Sequence, residues 1–210
     1  EKAILSGAEW IIKKRLPQDG SPHAGLLPAG FSAEHFGNND YYYWDDYWAI
    51  AGLDVAVRTA HRNEENAQAD VFERERNDLW NSIERSIESA PCREDSQGIP
   101  ASPYRRMDAG AIGSIVCSYP LKLVNANSPA LLSTVEHLLS NNMLKNMFFQ
   151  DMIHSGLNAY LTLHIAQVLL RADLAHRAWP LIEGVADMAS QTGQWPEAIH
   201  PRTGGGCMGD

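Results

Sequence analysis

Three features of this sequence predict an all-α fold built as a toroid of helical hairpins. Long segments carry apolar residues at helical spacing, and none shows sustained alternation of apolar and polar residues, so no sheet is expected. Long loops rich in aromatic residues or glycine recur between the helices. With 210 residues, 44% of them hydrophobic and 20% charged, the chain is long enough for one substantial core. Its apolar runs are too interrupted for a membrane-spanning helix. The net charge of −9 comes with no basic stripe, which argues against a nucleic-acid partner, because phosphate binding needs one. Cys92, Cys117 and Cys207 are an odd number at long spacings, without a CxxC pattern. They read as incidental thiols of a reducing compartment, favouring the cytoplasm.

The helices follow in order. Residues 3–15 place Ile4, Ala8, Ile11 and Ile12 on one face and stop at Leu16-Pro17. A loop runs to about residue 44, and a helix over 45–61 spreads Ile50, Leu53, Val55 and Val57 around its circumference, the pattern of a buried helix. Residues 67–90 keep Val71, Phe72, Leu79, Ile83 and Ile87 on one stripe among Glu and Arg, an amphipathic helix facing water. After a loop over 91–107 comes a short helix of small and apolar residues, 109–118. An amphipathic helix over 129–140 follows, with Ser128 and Pro129 suited to N-cap and first turn. A loop over 141–151 leads to a second all-round apolar helix, 156–170. An outer-type helix over 174–189 and a loop over 192–210 complete the chain.

The pattern is outer helix, loop, inner helix, three times, then an outer helix and a loop. With Asp45, Asp108, Asp151 and Glu197 as loop markers, the repeat is about 51 residues, suited to helical hairpins. Every chemically loaded loop precedes an inner helix, so these loops gather at one end. Helix N-termini and their free N–H groups point there too.

The first loop holds the densest signal. Residues 31–48 contain 8 of the 18 aromatic residues, with Glu34, Asp40, Asp45 and Asp46 among them. Aromatic faces beside carboxylates suit sugar rings, and a carboxyl walled in by Tyr43, Trp44, Tyr47 and Trp48 would hold its proton as a general acid. The plainer alternative is core filling, with Asp45 or Asp46 as a helix N-cap. In the last loop, Glu197 lies between Trp195-Pro196 and His200, ahead of Arg202 and Gly204-Gly205-Gly206. Such a cluster fits a charged site, or a flexible turn. In the middle loops, Asp108 either caps the following helix or joins Arg105 and Arg106 in binding hydroxyls. Asp151 and His154 sit three apart at a helical start, as a hydrogen-bonded strut or a metal pair lacking a third ligand. His164 reads as a satisfied core histidine.

These residues resemble the (α/α)6-barrel glycoside hydrolases: glucoamylases, trehalases and relatives of the processing α-glucosidases. Tyr43-Trp44-Asp45-Asp46 is similar to the Trp–acid–acid segment holding the glucoamylase general acid and to a trehalase Trp-Asp segment. Pro196-Glu197-Ala198-Ile199, followed by the glycines, resembles the trehalase segment carrying the general base. In those families acid and base lie three hairpins apart, as Asp45 and Glu197 do here. The second residue of the acidic pair is Asp where the family pattern has Glu. The Trp-Asp segment also resembles a trehalase segment that only binds substrate. On that mapping Asp45 binds, and Asp151 or Asp108 takes the acid role.

The resemblance implies an inverting glycosidase acting on an α-glucoside or related oligosaccharide, Asp45 as acid and Glu197 as base, with no metal or organic cofactor. It implies Glu34, Trp44, Asp46, Trp48, Arg105, Arg106, Asp108, Asp151, Trp195 and His200 as substrate-binding residues. The alternatives are a phosphorylase of similar architecture and a helical carbohydrate-binding or scaffolding module without chemistry. The chain would form about the second half of the toroid, from a longer protein. Its open seam of inner helices would then be covered by the missing hairpins or by self-association.

Overall fold

The computed structural model describes residues 1–31, 39–91, 96–151 and 155–208. Among them, six α-helices and one 3₁₀ helix follow in the expected order. They are α1 (Lys2–Lys14), α2 (Tyr43–Arg62), α3 (Asn66–Glu88), the 3₁₀ helix (Ala109–Cys117), α4 (Pro129–Asn141), α5 (Ala159–Arg171) and α6 (Ala175–Asp187). The 3₁₀ helix is central: all nine of its residues are buried, and it packs against α2, α4 and α5. Gly110 and Gly113 lower α-helix propensity there through their backbone freedom, and the segment takes the tighter winding over an unusual length. Asp108 caps it, accepting the Gly110 N–H at 2.8 Å. Pro129 stands in the first turn of α4 as expected, but the Ser128 side chain makes no cap bond.

Helices α2 and α5 are not buried all round. Trp48 and Val55 on α2, and Tyr160, Leu163 and Leu170 on α5, leave an apolar strip in solvent. Val71, assigned to the α3 stripe, is also exposed, while Phe72, Leu79 and Ile83 face the core. No helix among the described residues is long and apolar enough to cross a membrane.

The expectation of no sheet is corrected. Five short antiparallel strands pair in chain order: β1 (Met143–Leu144), β2 (Met147–Gln150), β3 (Gly156–Leu157), β4 (Ala198–Ile199) and β5 (Gly206–Met208). At two to four residues each, they are too short to show a period of two. The β1–β2 hairpin turns on Lys145 and Asn146, with φ of 54° and 60°. Two successive left-handed residues form the turn that matches strand twist. Gly184 of α6 seats this turn, since a Cβ there would lie 2.9 Å from the Asn146 carbonyl. A second small core of Met147, Leu157, Val185 and Ile199 fills the space beneath the sheet. Strand β3 also displaces the start of α5 from residue 156 to Ala159, where Asn158 caps it by accepting the Leu161 N–H at 2.8 Å.

The loops entering the inner helices join one another directly. Arg15 pins the first to α3 through Glu75 and Asp78, at 2.8 and 2.6 Å. The Tyr43 N–H donates to the Ala101 carbonyl, and the Ser102 hydroxyl to Asp40 at 2.6 Å, linking the first loop to the second. Residues 105–109 share the walls of one cleft with 141–142 and 151, setting the second loop beside the third. Pairing of β3 with β4 joins third to last. One continuous end of the molecule therefore carries all the loaded segments.

Candidate functional site

Neither Asp45 nor Asp46 is an N-cap: Tyr42 occupies that position, and both carboxylates lie in the first turn of α2. Their surroundings differ sharply. Asp46 is fully buried; its Oδ1 accepts the Leu27 N–H at 2.9 Å, and its Oδ2 has no partner. Burial pushes its carboxyl up to about 7. It anchors the first loop to α2, which places it away from direct contact with a ligand. Asp45 is half-buried and opens into a groove of about 520 Å³ lined by Trp10, Ile11, Lys14, Leu27, Pro28, Trp48 and Ala49. Desolvation alone raises its carboxyl to about 6. A helix N-terminus favours the anion, so loss of water wins there.

Sequence reasoning missed Trp10 and Lys14. Trp10 is 57% exposed on α1 and lines the same groove as Asp45. Its only advance signal was an indole outside the Ile4–Ala8–Ile11 face. Trp44 tilts against Trp48 at a ring distance of 6.0 Å and meets the edge of His164 at 6.5 Å. His164 is a core histidine only partly satisfied. Its Nε2 donates to the Tyr119 carbonyl, its buried Nδ1 has no partner, and burial lowers it to about 4.

A second cleft of about 440 Å³ gathers four of the expected binding residues, Arg105, Arg106, Asp108 and Asp151, with His137, Asn141 and Asn142. Arg105 donates to Asp108 Oδ2 from Nε at 3.1 Å and Nη2 at 2.7 Å. Asp108 thus both caps the 3₁₀ helix and orients a guanidinium. Asn142 Oδ1 is buried without a partner. Asp151 follows β2, and the helical start expected after it falls on residues 152–154, outside the described residues. His154 and Glu34 lie outside the described residues. Among the described residues no group of three His, Cys, Asp or Glu side chains could hold a metal.

In the last loop Glu197 is exposed immediately before β4. Trp195 donates from Nε1 to the Val185 carbonyl at 2.7 Å and remains 41% exposed. His200 Nδ1 accepts the Arg202 and Thr203 N–H groups at 3.2 and 3.3 Å, shaping a turn that Gly204 completes with φ of 72°. Cys117 is buried and Cys207 exposed, both free thiols.

No protein-family model matches this sequence, and no curated protein does. Its structure is similar to the crystal structure of a bacterial glucoamylase complexed with acarbose. The TM-score is 0.67 at 14% identity, over 94% of this chain and 33% of that one. The fold is therefore a partial α/α toroid of the glucoamylase kind. The chain spans about one third of the length of that protein.

Proposed function

We propose that this chain carries the carbohydrate-binding end of an inverting glycoside hydrolase acting on an α-glucoside or related oligosaccharide. One observation carries the reading: Asp45 lies in a groove lined by two exposed indoles, where desolvation raises its carboxyl to about 6. Such a group holds a proton for a leaving oxygen under mildly acidic conditions. The fold likeness to a glucoamylase structure supports a sugar as the ligand. The groove volume falls in the range of small-ligand sites.

In this reading Asp45 protonates the glycosidic oxygen. Glu197, which does not line the Asp45 groove, removes a proton from water attacking the opposite face; inversion requires the two carboxyl groups about 6.5–9.5 Å apart. Atoms balance: the bridging oxygen leaves as a hydroxyl and water supplies the new anomeric hydroxyl. Trp44, Trp48 and Trp10 stack on rings. Arg105, Arg106, Asp108 and Asp151 take hydroxyls in the polar cleft. Glu34, Trp195 and His200 complete the binding surface from the first and last loops, and Asp46 acts through its hold on the first loop. The apolar strip of α2 and α5 is covered by further hairpins of the native polypeptide or by a second copy, which sedimentation would distinguish.

The test is a panel of α- and β-glycosides incubated with the native polypeptide, with the anomer of the released sugar read by NMR. Release of the inverted anomer, reduced about 10²–10⁴-fold in Asp45→Asn and Glu197→Gln, is expected. Unchanged activity in both variants would end the assignment. Release only with inorganic phosphate present would make the protein a phosphorylase. Binding without release would make it a non-catalytic module.

A further inference from the structure

Beside the polar cleft lies an aromatic cluster outside the Asp45 groove, anchored by Tyr41, which packs against the core. The rings of His23 and Tyr41 stack face to face, 4.1 Å apart and 6° from parallel. Tyr104 tilts against both at 5.7 and 6.0 Å, its hydroxyl 2.5 Å from His23 Nδ1. The three rings come from three separate stretches of loop, yet they are firmly held. Asp40, beside Tyr41, accepts the Tyr41 N–H at 2.8 Å and the Ser102 hydroxyl at 2.6 Å. Tyr104 is nonetheless 49% exposed, so a large ring is ordered at the surface. An aromatic face held rigid in water binds an apolar sugar face at little entropic cost.

The position of this surface gives it a role. Tyr41 and Tyr104 each have a chain neighbour on the cleft side. Arg105, next to Tyr104, lines the cleft, and Tyr42, next to Tyr41, hydrogen-bonds to Arg105. The stack and the cleft are thus two sides of one pair of loop segments. We infer that His23, Tyr41 and Tyr104 form a separate sugar-stacking subsite that continues the Arg105–Asp151 cleft, so that the ligand is a chain of several sugar units. The inference rests on the carbohydrate reading above and adds chain length to it. It makes Tyr104 a binding residue for distal units, outside the groove into which Asp45 opens.

Maltose and maltoheptaose serve as short and long probes, titrated calorimetrically into the native polypeptide and its Tyr104→Ala and Tyr104→Phe variants. Tyr104→Ala is expected to weaken maltoheptaose by about threefold to tenfold and to leave maltose within about twofold. Tyr104→Phe keeps the ring and is expected to behave as the unaltered protein does with both. Equal loss for the two probes, or none for either, would overturn the subsite and leave the carbohydrate reading standing. Equal loss with a lowered melting temperature would make the stack a purely structural clamp. If neither probe binds the unaltered protein, both the subsite and the α-glucoside reading fail.

Discussion

The two clefts at the loop end hold the same kinds of side chain in opposite states. In the aromatic groove, Asp45 shares its walls with two exposed indoles and Lys14, and desolvation raises its carboxyl to about 6. In the polar cleft, Asp108 is committed twice, to the Gly110 N–H and to Arg105. One carboxyl opens into a groove; the other is tied down and positions a cation. Sequence proximity to aromatics does not decide between these states. Partners do, as Asp46 shows one residue further on: equally aromatic surroundings, full burial, and a backbone N–H to hold.

Removing the proton from the first cleft and the tie from the second should have different consequences. Asp45→Asn is expected to lower kcat by about 10³-fold with KM nearly unchanged. Asp108→Asn keeps a capping side chain but loosens Arg105. It should raise KM by about tenfold, roughly the loss of one charge-assisted bond, with kcat within a few-fold. Steady-state kinetics on both variants checks the split, and the reverse pattern would exchange the roles of the clefts.

The pH profile sharpens the same contrast. A general acid must be protonated to act, so kcat should fall as pH rises through about 6, the value to which desolvation lifts Asp45. Stability should respond through Asp46. Its folded pKa of about 7 lies above the unfolded value of about 4, so the folded state holds the proton more tightly. That contribution is complete below about pH 4 and is lost as pH rises through about 7. Denaturant unfolding of Asp46→Asn should show this slope flattened. Asp46→Ala should cost about 1–3 kcal/mol by leaving the Leu27 N–H unpaired. The smallest effect belongs to Arg106→Ala, an exposed side chain in the polar cleft, with stability changed by no more than about 0.5 kcal/mol.

The helical order was legible because apolar spacing in α1, α3, α4 and α5 is set by one large shared core. The small sheet was not. Its strands are held by a turn of left-handed residues at Lys145-Asn146 and by contact across loops, neither of which leaves a period in the sequence. Asp108 was legible as a cap because capping is local. Asp45 and Asp46 were not separable, since Leu27 and Trp10, which distinguish them, lie 19 and 35 residues away in sequence. His137, Asn141 and Asn142 escaped for a similar reason: they sit at the end of an ordinary amphipathic helix and acquire meaning only where that end meets Arg105 and Asp151.

The proton on Asp45 underlies all of this and can be read directly. A ¹³C-detected titration of side-chain carboxyls in the native polypeptide, with Asp45→Asn assigning the resonance, should show it titrating near pH 6. A midpoint near 4, where an ordinary solvated aspartate titrates, would mean that the groove does not hold the proton and that the catalytic assignment is wrong.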